Sequence, residues 1–286
     1  MGLFAETARI FHGRAGGVFL SAALALAPAY LVGGGLIFLA ARHVQAQRFG
    51  VSRTEAYAER TRDLPPDATA DQRRDILRGA QEPGTEESAA PRPVWTSLAL
   101  IAGVLFAVLV VTAGLFLAQA GVVPLAGGSV GPGGAWATVA ARFPAVTATG
   151  GAALGIVAVG LAACILPGLF AAFAFSLAMP AAVAEGLSGF PALQRSWQLM
   201  KRAWPAQLGI LFLSAVPLVL LTQGLGRLLP EGAILRHALL DAAIAAVLLP
   251  WPLALSVTVY LRARSAIDGT PLPELIQYIR RISAPG

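Results

Sequence analysis

Long apolar runs, separated by charged or Gly/Pro-rich stretches, organise this 286-residue chain. Each run approaches the roughly 20 residues that a helix needs to cross a hydrocarbon core. Inside hydrocarbon the backbone must satisfy its own hydrogen bonds, which forces such runs into helices. The alternating segments of a membrane β-barrel do not occur. The pattern predicts an all-α fold: a polytopic integral membrane bundle of about six transmembrane helices plus interfacial amphipathic helices.

Residues 1–41 hold a short interfacial helix over 2–15, with Leu3, Phe4, Ile10 and Phe11 on its apolar side, and a first span at 17–41 containing Pro28 and Gly33-Gly34-Gly35. Arg9 and Arg14 before an apolar stretch imitate a signal peptide. The run outlasts a signal h-region, however, so an uncleaved span is expected. Residues 42–94 form a polar insert with nine Arg and nine Asp/Glu. Two helical patches, 44–63 and 69–80, are expected around Pro65-Pro66, followed by a linker from Glu82 to Pro93.

A five-span section follows over 95–264. Trp95 opens span two, 95–118, and the Gly/Pro-rich stretch 119–147 reads as a loop, partly re-entrant. One helix over 148–184 would rise roughly 55 Å, too far for a core of about 30 Å. Two spans turning at Pro167-Gly168 fit better, with a single re-entrant element as the alternative. Spans five and six are placed at 205–226 and 238–261.

Composition supports this reading. Apolar residues make up 56% of the chain and charged residues 13%, half the share usual in soluble domains, which is about 25%. Mean hydropathy is +0.69. The net charge of +6 is the excess of 21 basic over 15 acidic residues, and Lys201 is the one lysine. These flank apolar runs, as charges of the cytoplasmic leaflet do, so nucleic acid is not an expected partner. Arginine over lysine, with abundant Ala and Gly, suggests a GC-rich bacterial genome. With six spans, Arg9, Arg14, Arg195, Lys201, Arg202, Arg262, Arg264, Arg280 and Arg281 share one side with both termini. The positive-inside rule makes that side cytoplasmic, in a bacterial inner membrane. The insert's nine arginines pull the other way.

The densest signal lies between spans four and five. Over 189–204, Leu193, Trp197, Met200 and Trp204 recur at helical spacing, and Gln194, Arg195, Gln198, Lys201 and Arg202 fill the other face. This predicts an interfacial amphipathic helix. It either recognises lipid headgroups or a partner, or merely orients span five. Glu185 closes span four ahead of Arg195, Lys201 and Arg202, and a Glu–Arg pair anchoring the helix is the expected use.

Pro167-Gly168, Pro180, Glu185-Gly186, Ala192-Leu193, Arg195-Ser196-Trp197, Leu199 and Tyr260 with Arg264 resemble the membrane domain of glycerophosphoryl diester phosphodiesterases and related bacterial six-span proteins. The resemblance covers about 160–270. Where that family has an Asp two residues after the Tyr, this chain has Arg262. In some members a catalytic barrel with His and Glu ligands follows. These 286 residues contain no such barrel, and His12, His43 and His237 lack ligand spacing. No phosphodiesterase activity, metal or cofactor is therefore expected.

Asp241, near His237 and Arg236, lies about one turn inside span six. It is a possible intramembrane polar site or an interfacial carboxylate at a helix start. Gly151 and Gly155 form a small-xxx-small pair suited to helix packing. In the tail, 265–286, Leu272, Leu275, Ile276, Ile279 and Ile282 oppose Glu274, Gln277, Arg280 and Arg281. This helix lies on the leaflet or docks on the protein.

With no nucleophile–base set, metal cluster or nucleotide loop in view, the expected function is non-catalytic: a scaffold or accessory subunit binding membrane lipids or a partner membrane protein. The structural and lipid-facing candidates are Glu185, Arg195, Ser196, Trp197, Lys201, Arg202, Trp204, Tyr260, Arg262 and Arg264. The alternative is a transporter or lipid-handling protein built on broken spans four to six, with a cavity lined by Asp241, Thr222, Gln223 or Ser256. An intramembrane enzyme would require Glu185, Asp241 and His237 to converge.

Overall fold

A computed structural model describes residues 2–62, 94–128, 130–226 and 234–283. Among these residues all regular structure is helical: α1 (Leu3–Ile10), α2 (Ala15–Arg62), α3 (Val94–Val122), a 3₁₀ segment (Val123–Gly127), α4 (Pro132–Ala141), α5 (Phe143–Ala163), α6 (Ile165–Ala174), α7 (Ala178–Glu185), α8 (Phe190–Gly226), α9 (Ile234–Leu248), α10 (Pro250–Asp268) and α11 (Leu272–Ser283). The expected helix at 69–80 and the linker from Glu82 lie outside the described residues.

Five helical stretches are long and apolar enough to cross a membrane: Ala15–Ile37, Leu100–Gly127, Phe143–Ala163, Ile165–Glu185 and Phe190–Leu225. Arg236–Leu248 and Pro250–Asp268, bent by 42° at their junction, form a sixth if they act as one span. The 15 residues of α9 rise only about 22 Å, short of a core of roughly 30 Å, so α9 crosses only together with α10. Pro250 and Pro252 at the start of α10 remove the amide donors that would have continued α9. The chain is an all-α, multi-pass membrane protein.

Cα packing divides it into a main unit, residues 1–36 with 105–286, and a second unit, 37–104. The second unit holds the later part of α2 and the first turns of α3. The first predicted patch of the insert is no separate element, because α2 continues through it to Arg62.

Within the main unit, α7 and α10 are the most enclosed elements. Every residue from Ala178 to Ala184 is buried, as is every residue from Pro252 to Leu261. Neither stretch carries a charge, and the hydroxyls of Ser256, Thr258 and Tyr260 in the second are hydrogen-bonded, as burial requires. Spans one and two meet through small residues: a Cβ on Gly114 would overlap the Ala29 side chain, and Ser21 donates to the Gly121 carbonyl at 3.1 Å. Close approach of this kind is how helices pack where lipid removes the hydrophobic driving force.

Several sequence expectations change. Stretch 148–184 does hold two spans, but the turn falls at Cys164, whose backbone is extended. Pro167-Gly168 lies inside α6, where a Cβ on Gly160 would come 2.8 Å from Gly168 Cα. That dipeptide serves the close approach of the hairpin arms rather than their turn. The helix-packing role expected of Gly151 and Gly155 is not seen: both face outward, with nothing near an added Cβ. The described residues of the expected 119–147 loop are mostly helical, and its first part, 119–127, is buried. Val123, Pro124, Leu125, Ala126 and Gly127 are all buried, and α4 follows.

The 189–204 segment is the opening of α8, which runs unbroken to Gly226 with Pro205 and Pro217 inside it. Its buried stripe is Ala192, Leu193, Ser196, Leu199, Met200, Ala203, Gln207 and Ile210. Of the apolar stripe read from the sequence, Leu193 and Met200 are buried, while Trp197 and Trp204, named there among the lipid-facing candidates, stand 42% and 53% exposed. Small residues admit the neighbouring helices, and the indoles are left on the flank. The tail takes the second of its two expected placements. Leu275 and Ile279 of α11 are buried. A Cβ on Gly127 would lie 2.8 Å from the Arg280 backbone nitrogen, and Arg280 Nε donates to the Gly127 carbonyl at 2.9 Å.

Candidate functional site

The ends of α7 and α10 share one local design. Each helix finishes on an acid followed by a glycine in the left-handed region: Glu185 before Gly186 (φ 70°) and Asp268 before Gly269 (φ 70°). Glycine ends helices this way because it lacks the Cβ that penalises positive φ. A carboxylate at a helix C-terminus faces the negative end of the helix dipole, so it needs a cation.

Arg195 and Arg264 supply those cations. Arg195, in the second turn of α8, places Nε 3.0 Å from Glu185 Oε2 and 3.2 Å from Oε1. Its Nη2 reaches Asp268 Oδ2 at 2.5 Å. Tyr260, Arg264 and Asp268 lie four residues apart on α10 and so share a face. The Tyr260 hydroxyl donates to Glu185 Oε1 at 2.8 Å and accepts from Arg264 Nη1 at 3.3 Å. Arg264 Nε lies 3.4 Å from Asp268 Oδ2 and 3.8 Å from Glu185 Oε1. The Arg264 guanidinium also sits 5.4 Å above the Tyr278 ring of α11, within cation–π range. Two acids and two arginines balance in charge, and side-chain exposure is 14% for Glu185, Arg195 and Arg264. The cluster ties α7, α8, α10 and α11 together.

Its neighbours satisfy backbone groups. The chain breaks between α6 and α7, leaving carbonyls without helical donors. Buried Ser196 donates to one of them, Ala174 O, at 2.9 Å. Arg202 Nη1 donates to Ala266 O in the last turn of α10 at 3.0 Å. Arg262 pairs with Glu6 of α1, and Thr7 Oγ1 lies 3.0 Å from Thr258 Oγ1, so α1 is fastened to α10. The N-terminal helix, the 3₁₀ segment, the Gly186 turn and the tail thus gather around the C-terminal half of α10.

Among the sequence candidates, Glu185, Arg195, Tyr260 and Arg264 converge. Ser196, Arg202 and Arg262 act beside them. Trp197, Lys201 and Trp204 instead line a groove with α6. Asp241 is separate: its Oδ2 lies 3.2 Å from the position of a Cβ on Gly34 of α2. At 1.5 Å per residue, α9 and α10 carry it roughly 25 Å from Tyr260, and hence from Glu185. Glu185 and Asp241 therefore cannot share a reaction centre. Nor do the four residues named for a transport cavity form one lining. Ser256 is buried between Gln119 and Gln207, at 2.7 and 3.0 Å, and Gln223 faces outward.

Sequence reasoning missed Asp268 and the two glutamines, Gln119 and Gln207, that bond Ser256. Asp268 carried a readable sign, an acid before glycine one turn after Arg264, repeating Glu185-Gly186. The glutamines were visible as lone amides in apolar runs, where a polar side chain needs a partner. Compared with protein-family models, curated proteins and solved structures, the chain matches none.

Proposed function

We propose that this chain is a non-catalytic protein of a bacterial inner membrane, with both termini cytoplasmic, acting as a scaffold or accessory subunit that binds membrane lipid or a partner membrane protein. The supporting observation is how the ionisable groups are spent. Glu185, Asp268, Arg195, Arg264 and Tyr260 satisfy one another, leaving neither acid as a base poised toward a substrate. Their role is to hold four helices in register beneath an exposed aromatic and basic flank. The resemblance to the membrane domain of glycerophosphoryl diester phosphodiesterases rests on several of these same residues.

Purification in mild detergent, followed by mass spectrometry of co-purifying lipids and proteins, tests the reading. A stoichiometric protein or an enriched lipid class is expected. Retention of neither, or catalytic turnover by the purified chain, overturns it. The second reading, transport or lipid handling, draws on the 42° bend between α9 and α10 and on Asp241 lying against Gly34. Enrichment of one small polar solute favours it.

A further inference from the structure

The outward flank of α8 carries a groove that the ion-pair cluster leaves unused. Phe170, Phe173 and Ala174 of α6 form one wall, and Trp197, Met200 and Trp204 of α8 form the other, around about 180 Å³. Phe170 meets Trp197 edge-on, with ring centroids 6.0 Å apart and planes at 73°. The groove is apolar, and Lys201 is the one charged residue among those that line it. No carboxylate among the described residues pairs with Lys201, whereas its neighbour Arg202 is committed to Ala266 O.

The sequence of α8 sets the level of this groove in the bilayer. From Ala203 to Gly226 the helix has no charged residue, a rise of roughly 36 Å that spans a core of about 30 Å. Lys201 therefore stands where that run begins, at the depth of lipid phosphates, and Trp197 and Trp204 bracket it as interfacial indoles do. Small-molecule pockets commonly enclose roughly 300–1,000 Å³. This groove is slimmer and open along one side, a shape for a hydrocarbon chain.

We propose that the groove binds an anionic phospholipid, with one acyl chain between Phe170, Trp197 and Trp204 and the phosphate on the Lys201 ammonium. This deepens the proposed lipid-binding role and rests on it. The aromatic walls supply contact with the chain and the Lys201 cation supplies headgroup preference. One lysine near a bilayer surface is worth about a five-fold preference for an anionic over a zwitterionic lipid.

The test uses the full chain in phosphatidylcholine vesicles doped with phosphatidylglycerol or phosphatidylcholine carrying a brominated acyl chain. Quenching at the groove is taken as the difference between wild type and the Trp197→Phe/Trp204→Phe variant. Brominated phosphatidylglycerol is expected to quench at about one fifth the concentration needed for brominated phosphatidylcholine. Lys201→Gln removes that preference and Lys201→Arg restores it, with helical circular dichroism unchanged in both. The proposal is overturned if wild type shows no preference, if Lys201→Gln keeps it, or if neither lipid quenches because protein fills the groove. Mass spectrometry separates the two levels. Anionic lipid still enriched on Lys201→Gln removes the groove but leaves the lipid-binding role, whereas no lipid or partner on wild type removes both.

Discussion

Arg195 holds the carboxylates of Glu185 and Asp268 at once, 3.0 Å from Glu185 Oε2 and 2.5 Å from Asp268 Oδ2. Each acid is the last residue of its helix. One guanidinium thus closes two helix ends whose own dipoles would repel the acids, and Tyr260 and Arg264 complete the set from α10.

Removing the shared partner exposes this dependence. Arg195→Gln leaves two carboxylates at helix C-termini with only Arg264 between them. Breaking a buried pair costs about 3–5 kcal/mol, and partial exposure here reduces that to roughly 2–3 kcal/mol. Denaturant titration of the protein in micelles should show that loss. A double-mutant cycle with Glu185→Gln should give a coupling of at least about 1 kcal/mol. Additive single effects would show that the contact carries no stability.

Ser196→Ala tests the repair of the broken span. Its hydroxyl is the side-chain donor to Ala174 O, and an orphaned buried carbonyl costs about 1–3 kcal/mol. A lower melting temperature is expected for Ser196→Ala, with Ser196→Thr closer to wild type. An unchanged melting temperature for Ser196→Ala contradicts the assignment.

Tail docking has a proteolytic readout. A leucine at Gly127 collides with the backbone of Arg280, and overpacking of that size costs about 1–3 kcal/mol. Gly127→Leu should speed tryptic cleavage after Arg280 and Arg281 by about ten-fold or more relative to wild type. Equal cleavage rates would mean that α11 is not held by this contact.

Topology is testable with cysteines in a Cys164→Ser background. Ala5→Cys and Ala284→Cys should react with an impermeant maleimide from the same face of oriented vesicles, and Ala70→Cys from the opposite face. Labelling of the two terminal sites from opposite faces would require an odd number of spans and overturn the six-span count.

Fold class was legible because hydrocarbon permits few alternatives: apolar runs of span length become helices whatever their neighbours. The Glu185–Arg195 pair was legible from short-range order, since Gly186 turns the chain back on itself. The apolar stripe on α8 splits, with Leu193 and Met200 turned inward and Trp197 and Trp204 outward, because periodicity does not report which neighbour arrives. The buried 3₁₀ segment was misread because Gly and Pro mark loops in general. Here Gly127 instead gives α11 room to approach.

What the sequence by itself determined is therefore the multi-pass, all-helical character of the chain and the basic flank near Lys201 and Arg202, since each follows from local composition against the bilayer. Only the tertiary structure decided that Glu185, Arg195, Tyr260, Arg264 and Asp268 form one neutral cluster, that α11 packs on the 3₁₀ segment, and that Asp241 lies apart against Gly34. Those outcomes depend on which helices become neighbours, and that is set by shape and small-residue contacts between distant parts of the chain.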